Sequence, residues 1–472
     1  MNSISRQSTP LRFAAFACFT ATTLAFSPNT SIFSDMGMGG ENLGAFIFPM
    51  FIAACIGAGL LIAFLHGRDA ERYRRFPLLV TAAVLHIAAV CVFIGCNYGL
   101  SVPALALHAI GALYGLTLVI ICLAWAALLG TIGFRRAVLC ATLTCMGSYI
   151  LSAMLGILPQ AWRWIPYLVL FCIGSLGPCV FLHPTRQVAA NRPEDASAPE
   201  ADAEEQPHVN TADLLRSLRL PGLGMLLFAF LMALNKTRMF NLVESEYVAG
   251  IIAGLCFLAV FAARKEVLLP SFLYRVVAPT IGGIVVVFLA VSGQLETNDV
   301  AYTVVYVFLS ALAILAFANA LTIINAGEFS AEFVESIGLL AGFGVSLVGI
   351  VWSRTYGGPE NVSTVVFVLI ALYCACMMVY LGWESWRLMN RPEEEREEVP
   401  APAEDWQARA EAAKLSKREI DILSYLGRGH SSMYIAEQLF ISESTVRTHA
   451  KHIYAKLGIH SKEELFAFID GK

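Results

Sequence analysis

Apolar runs follow one another along most of this chain, and they constrain its fold more than any other feature. Between Leu11 and Met389 the runs are roughly 16–26 residues long, and about 20 helical residues cross the ~30 Å hydrocarbon core of a bilayer. Inside a bilayer the backbone must satisfy its own hydrogen bonds, so such runs are helical. Only 14% of the residues are charged, against roughly a quarter in soluble domains. A wholly soluble protein is therefore excluded.

Twelve of the runs are candidate membrane spans. They lie at residues 11–27, 44–65, 77–97, 102–129, 137–158, 164–183, 219–237, 247–263, 267–292, 301–325, 333–353 and 363–386. The first run begins behind two arginines and ends near Ser27, so it also resembles a cleaved secretory signal peptide. Both interpretations of this run stay open, and cleavage would leave the orientation of the other spans unchanged.

The distribution of basic residues predicts the orientation of the bundle, because Lys and Arg accumulate in short cytoplasmic loops. With the N-terminus inside, sixteen basic residues fall on the cytoplasmic side and four on the outer side. The outer four are Arg163, Lys236, Arg238 and Arg354. An even number of spans returns the chain to the side on which it began. We therefore expect both the N-terminus and the C-terminal tail in the cytoplasm.

Two polar segments divide the chain. Residues 185–217 are acidic and rich in Ala and Pro, and residues 390–413 contain a Pro/Glu-rich stretch, so neither is expected to form a core of its own. The predicted organisation is a first six-span half, an acidic cytoplasmic linker, a second six-span half, a tether, and a small terminal domain. The boundaries are 1–184, 185–217, 218–389, 390–413 and 414–472.

The membrane region resembles the major facilitator superfamily in its six-plus-six layout, its central loop and the basic loop at 66–75 that follows span two. This resemblance implies that spans one, four, seven and ten line a central cavity. His108, Asn235 and Asn319 would then lie near that cavity. Arg275 lies inside span nine and is a further ligand candidate, because a charge in lipid needs a partner. Four charged residues near span ends are expected to reach the membrane surface: Lys236, Arg238, Glu332 and Glu335.

The C-terminal tail reads as a series of short helices. We predict helices at about 417–426, 432–439, 443–457 and 462–469, preceded by a helical segment within 404–414. Ser416 and Glu419 have the spacing of a capping box. Gly427 and Gly429 follow the first of these helices, where we expect positive φ. The short connection between the second and third helices is typical of a helix-turn-helix.

The third of these helices has two distinct faces. Val446, Ala450, Ile453 and Leu457 recur at helical spacing and are predicted to face the core of the domain. The other face carries donors without a carboxylate, which suits phosphates and guanine edges in a major groove. A solvated basic face on a helical adaptor is the alternative. The residues of this second face are Ser444, Arg447, Thr448 and Lys451.

The sequence of the whole tail favours DNA binding over a solvated basic face. From Leu415-Ser416-x-Arg418-Glu419 to Lys456-Leu457-Gly458-Ile459 and on to Leu465, it resembles the LuxR-type (NarL/FixJ-type) DNA-binding domain. The resemblance implies a tetrahelical helix-turn-helix domain, a recognition helix in the major groove of double-stranded DNA, and a homodimer formed through the fourth helix. The residues expected to contact DNA are Ser444, Thr445, Arg447, Thr448, Lys451 and Lys456.

These features predict an all-α, polytopic transmembrane bundle followed by a DNA-binding domain. The predicted function is that of a membrane-anchored bacterial transcription regulator in the inner membrane, with lipid around its bundle and a small-molecule ligand or membrane signal as its input. A major-facilitator-like transporter with a regulatory tail is the alternative, and an inert anchor is a third. No enzyme activity, cofactor or metal is expected, because no catalytic motif or zinc spacing is present. The twelve cysteines, which lie in or beside the apolar runs, are interpreted as small buried hydrophobes.

Overall fold

The computed structural model describes most of the bundle and most of the tail. The described residues are 9–24, 40–65, 76–97, 99–130, 132, 134–190, 211–236, 243–263, 278–292, 299–326, 329–356, 359–389, 406–428, 430, 432, 435, 439, 443–459 and 461–470. They fall into two compact units, one holding most of the bundle and the other holding the tail.

Helices are the only regular structure among the described residues, and twelve of them follow the predicted spans in order. They are α1 (Thr9–Thr22), α2 (Gly40–Leu65), α3 (Phe76–Asn97), α4 (Ala104–Leu129), α5 (Phe134–Ile157), α6 (Gln160–Ala190), α7 (Thr211–Lys236), α8 (Val243–Ala263), α9 (Ala278–Ser292), α10 (Asp299–Ala326), α11 (Ala331–Tyr356) and α12 (Pro359–Met389). The predicted all-α polytopic bundle is thereby confirmed. Helices α6 and α7 extend into the predicted acidic linker, whose residues 191–210 lie outside the described part.

Eight of the described helices are long and apolar enough to cross a membrane, and two shorter apolar stretches lie at Gly222–Leu234 and Thr364–Tyr380. The outside of the bundle is apolar as well, with Leu105 83% and Ile157 84% exposed. Apolar side chains on the outside of a bundle face lipid rather than water. Cys91, Cys256 and Cys376 are also exposed, so the expectation that every cysteine is buried was wrong, because a thiol needs no burial against lipid.

Backbone contact between α2 and α4 depends on two glycines. A Cβ at Gly111 would overlap the carbonyl oxygen of Phe46, and a Cβ at Gly115 would overlap that of Met50. Small residues at helix crossings let backbones approach closely in a membrane, where van der Waals packing rather than the hydrophobic effect holds helices together. These two positions therefore fix the α2–α4 crossing.

The two halves of the bundle meet at several pairs of helices, chiefly α2 with α11, α5 with α8, α5 with α10 and α4 with α11. If the halves repeat with an offset of six helices, the α2–α11 contact is equivalent to α5–α8, and α5–α10 is equivalent to α4–α11. Phe51 of α2 lies edge-on to Phe343 of α11 with ring centroids 5.4 Å apart. Tyr149 of α5 lies 3.3 Å from the Ser310 hydroxyl of α10. These contacts are the ones that a repeat of six plus six helices would produce.

The tail has four described helices: α13 (Trp406–Ala412), α14 (Lys417–Leu426), α15 (Glu443–Leu457) and α16 (Lys462–Asp470). Three of the four helices predicted for the terminal domain are confirmed nearly to the residue, and the segment before them is also helical. The predicted helix at 432–439 lies largely outside the described residues. The core of the domain is formed by Ile422, Leu423, Ile435, Val446, Ile453, Leu465 and Ile469.

A capping box starts α14 as the spacing predicts. The Ser416 hydroxyl accepts the Glu419 backbone N–H at 3.3 Å, and the Ser416 N–H donates to the Glu419 carboxylate at 2.6 Å. The expected positive φ at Gly427 was wrong, since its φ is −67°, and Gly429 lies outside the described residues. A Cβ at Gly427 would meet the end of the Ile469 side chain, which would have to turn aside. Among the described residues of the tail, positive φ occurs at Gly458, at the end of α15, with φ +66°, and at Lys414, with φ +58°.

Candidate nucleic-acid interface

Helix α15 presents one face to the core of the tail and another to solvent. Val446 and Ile453 are fully buried, which anchors the helix. Arg447 and Lys451 are exposed, and Thr448 is half-buried. The side chains of Ser444 and Thr445 lie outside the described part, although both residues are helical. The separation of faces predicted from the sequence is therefore present, with two cations directed away from the domain core.

Lys456, the last residue expected at DNA, is engaged within the domain. Its ammonium lies 2.9 and 3.0 Å from the two carboxylate oxygens of Glu419. Glu419 is 3% exposed, so its charge is compensated mainly from inside the protein. Burial by itself raises the pKa of this carboxyl, but hydrogen bonds from Ser416 and Lys456 outweigh it and lower the pKa below the ordinary value.

A cluster of potential metal ligands lies beside that ion pair and was missed from the sequence. Glu419 of α14 and His449 and His452 of α15 each place one ligand atom within 4.8 Å of the other two. The chain has no C-x-x-C pair, and the sequence signal of this cluster is two histidines three residues apart on one helix face. The third ligand comes from a different helix, which spacing along the chain does not show.

Helix α13 packs against the body of the tail domain, with contacts to α14 and α16. The Arg409 guanidinium lies 5.3 Å from the centre of the Phe468 ring and donates to the Ile469 carbonyl at 3.3 Å. Trp406 and Ala410 are buried. The segment that enters the domain is therefore packed against the fourth helix rather than being a free extension.

Among the four ligand candidates in the membrane region, Asn319 is the most informative. It is 1% exposed, and neither its amide nitrogen nor its amide oxygen has a hydrogen-bond partner in the described part of the bundle. His108 is exposed, and its Nδ1 lies next to the Ala104 carbonyl of the same helix. The side chain of Asn235 and the whole of Arg275 lie outside the described residues.

Other polar residues of the bundle differ in how well they follow expectation. Glu332 is fully buried, so the expectation that it reaches the membrane surface was wrong. It lies in the first turn of α11, where the helix dipole favours a negative charge. His86 is bonded between helices, with its Nδ1 2.9 Å from the Thr117 hydroxyl and its ring stacked on Tyr114 at 4.0 Å.

The geometry of the tail agrees with comparisons of its sequence. Residues 413–469 match the family of bacterial regulatory proteins described as the luxR family. The tail is a LuxR-type helix-turn-helix domain. It is 48% identical over 54 residues to the oxygen regulatory protein NreC of Staphylococcus aureus, strains JH9 and USA300 among others. That match covers 11% of this chain and about a quarter of NreC, so it concerns the DNA-binding domain alone.

The bundle is similar to solved transporters in fold. The crystal structure of a bacterial homologue of the iron transporter ferroportin, in the outward-facing state, aligns with 81% of this chain and 99% of its own length, at a TM-score of 0.56 and 15% identity. FucP, a transporter of the major facilitator superfamily, aligns with 78% of this chain at a TM-score of 0.43. The chain thus combines a multi-pass membrane region of transporter fold with a LuxR-type DNA-binding domain.

Proposed function

We propose that this protein is a membrane-anchored bacterial transcription regulator whose bundle controls the DNA binding of its tail. The observation that carries the proposal is the exposed pair Arg447 and Lys451 on a helix that Val446 and Ile453 anchor in the core. A rigid helix with cations on its outer face is what major-groove recognition needs. The bundle keeps this helix at the inner membrane, with both termini in the cytoplasm.

The expected roles of the DNA-contacting residues differ. Arg447 and Lys451 provide charge, and Arg447 can bind a guanine edge with two hydrogen bonds. Ser444, Thr445 and Thr448 lie on or beside the same face and provide neutral donors for phosphates. Lys456 would reach a phosphate only by leaving Glu419. A homodimer through α16 would place two such helices on one operator.

Helix α13 provides a route from the bundle to the DNA-binding domain. Because α13 packs on α14 and α16, a displacement of the tether would shift α16, the fourth helix of the domain. We expect Arg409→Ala to weaken the response of DNA binding to the signal and to leave the fold of the domain intact. Arg428→Ala, a change of an exposed arginine elsewhere in the domain, serves as the control. An unchanged response in Arg409→Ala would argue against this route.

The signal is proposed to be a small molecule bound inside the bundle, because a buried amide without a partner is costly to maintain. Asn319 provides both a donor and an acceptor for such a ligand. A ligand shifts the DNA-binding equilibrium only as far as its affinities for the two states of the protein differ. Asn319→Leu should therefore uncouple the tail from the signal while the protein remains in the membrane.

Crosslinking of the full-length protein to chromosomal DNA in intact cells tests the proposal. The comparison is between the natural chain, an Arg447→Ala/Lys451→Ala double variant, and a Lys417→Ala control that lacks a cation on another helix. Discrete sites that the double variant loses and the control keeps are expected. In vitro, each lost phosphate contact should flatten the salt dependence of binding by about one unit. Equal crosslinking by the natural chain and the double variant would overturn the proposal.

A transporter with a regulatory tail is the second candidate, and the transporter fold of the bundle favours it. A fold alone does not carry an activity, so the test must measure transport. Given that the fold neighbour is a homologue of an iron transporter, flux of Fe²⁺ into vesicles is the first assay. Flux that persists after deletion of residues 391–472 and is lost in Asn319→Leu would support this alternative. Absence of Fe²⁺ flux in both the full-length protein and the form lacking residues 391–472 would favour the regulator over the transporter.

A further inference from the structure

Three side chains of the tail that can bind a metal ion converge between α14 and α15. Glu419 comes from α14, and His449 and His452 come from α15, with one ligand atom of each within 4.8 Å of the others. Glu419 is buried and both histidines are half-buried. The two histidines, three residues apart on a helix, lie on the same face. The cluster is therefore held by secondary structure on both sides and is partly shielded from water.

We propose that Glu419, His449 and His452 bind a divalent transition-metal ion of the Zn²⁺ class. Two imidazole nitrogens and one carboxylate oxygen are a donor set that Zn²⁺ and Fe²⁺ accept, with further positions left to water. Mg²⁺ and Ca²⁺ prefer oxygen ligands throughout. Metal–ligand bonds of about 2.1 Å put neighbouring ligand atoms roughly 3.4 Å apart. The ligand atoms lie within 4.8 Å of one another, so the cluster needs to contract by up to about 1.4 Å to reach that spacing, which rotation of the two histidine side chains can supply.

Lys456 sets the condition under which the ion binds. Its ammonium bridges both oxygens of Glu419 at 2.9 and 3.0 Å, so it occupies the place of a positive charge that a metal would take. The Lys456 side chain is 39% exposed and can turn into solvent. A metal ion and the Lys456 ammonium therefore compete for Glu419. The ion would also link α14 to α15 directly, in addition to the packing and the ion pair that join them now.

The site does not depend on the proposed function, since it concerns metal binding and not DNA. The test uses the full-length protein in detergent micelles, freed of metal with a chelator, and Co²⁺ as the probe. His452→Asn removes one ligand, and His430→Asn is the matched control because it replaces a histidine of the same domain outside the cluster. We expect the visible ligand-field absorption of low-symmetry Co²⁺ in the natural chain and in His430→Asn. Added Zn²⁺ should abolish this absorption in both.

Loss of His452 should weaken Co²⁺ binding at this site by at least about tenfold. Removing a residue that only hydrogen-bonds to a metal ligand already lowers metal affinity by about 10- to 100-fold, and His452 is proposed as a ligand itself. Zn²⁺ should also slow amide hydrogen exchange in α14 and α15 of the natural chain, because an ion that binds only the folded domain stabilises it. Identical Co²⁺ titrations of the natural chain and His452→Asn would overturn the proposal, as would the absence of any Co²⁺ absorption in the natural chain.

A second variant protects the test against a folding defect in His452→Asn. Lys456→Met keeps the length of the side chain and removes the competing charge. We expect Co²⁺ to bind this variant roughly two- to fivefold more tightly, in keeping with the strength of a partly exposed ion pair. Amide hydrogen exchange of α14 and α15 shows whether Lys456→Met remains folded, so that a gain in affinity can be assigned to this site. Unchanged or weaker binding in Lys456→Met would show that Glu419 does not ligate the ion and would overturn the three-residue site.

Discussion

The bundle and the tail are both helical, yet they distribute their apolar side chains in opposite ways. On the bundle, large apolar residues such as Leu105 and Ile157 are more than 80% exposed. Among the described residues of the tail, none of the large apolar side chains is exposed. The difference comes from the surroundings of the two regions. Lipid tails are as apolar as a leucine side chain, so burying leucine away from lipid gains no free energy, whereas burying it away from water does. The same secondary structure, the α-helix, is thus used in both lipid and water.

The two regions also hold their helices together differently. The bundle brings backbones into contact at Gly111 and Gly115, which needs small residues but few caps or ion pairs. The tail fixes short helices with a capping box at Ser416 and an ion pair between Glu419 and Lys456. Helices of 9 to 15 residues are marginal alone in water, so their ends and their apolar faces carry the stability.

The largest expected effect tests the apolar distribution. Ile453→Ala deletes a fully buried side chain of the tail and should cost about 2–5 kcal/mol, whereas Leu105→Ala on the bundle surface should cost less than about 0.5 kcal/mol. Hydrogen exchange of α15 in the full-length protein measures the first, and thermal unfolding of the bundle in detergent measures the second. Similar losses from both changes would break the comparison between the two regions.

A second, smaller effect tests the close helix crossing. Gly115→Ala should separate α2 from α4 and destabilise the bundle by about 1–3 kcal/mol, because the new Cβ meets the Met50 carbonyl. Gly59→Ala is the control, since a Cβ there has no neighbour within 4 Å. The measurement is thermal stability in detergent by size-exclusion chromatography. Exchange protection of the tail should not change, and equal stability of the two variants would contradict a glycine-dependent crossing.

The capping box should contribute less to the free energy of unfolding than either the buried Ile453 side chain or the glycine at the α2–α4 crossing. Ser416→Ala removes the acceptor at the start of α14 and should destabilise the tail by about 1 kcal/mol. Ser424→Ala is the control, because its hydroxyl only bonds the Asp421 carbonyl within the helix and alanine is the better helix former. Exchange rates of α14 should rise in Ser416→Ala and stay level in Ser424→Ala. The reverse order would contradict the importance of the cap.

The smallest expected effect is a pH dependence confined to the tail. Burial, together with the charge of Arg428, lowers the pKa of His430 below its ordinary value of 6.5. A group whose pKa is depressed by folding stabilises the folded state above its unfolded pKa and loses that contribution as the pH falls. Exchange protection of α14 should therefore decline on acidification below about pH 6.5. In His430→Asn this part of the decline should vanish, and an identical pH profile would contradict it.

Sequence reasoning succeeded where a local pattern carries the information. Apolar length located α1 to α12 in order, and spacing located α14 and α15 to the residue. It failed where a neighbour decides the outcome. Glu332 was expected at the membrane surface because it lies near a predicted span end, yet it is buried. Positive φ was expected at Gly427, yet its φ is −67°, and the end of the Ile469 side chain packs against it.

By itself, the sequence determined which segments are helical, which of them suit lipid or water, and which helix face bears Arg447 and Lys451, since each of these depends on residues close together in the chain. Only the tertiary structure decided that Lys456 faces Glu419, that two histidines of α15 meet that same carboxylate, and that Asn319 is buried with no hydrogen-bond partner in the part of the bundle that the structure describes. The physical reason is that such contacts join helices far apart in sequence, whose relative position is set by packing and by no repeating pattern along the chain.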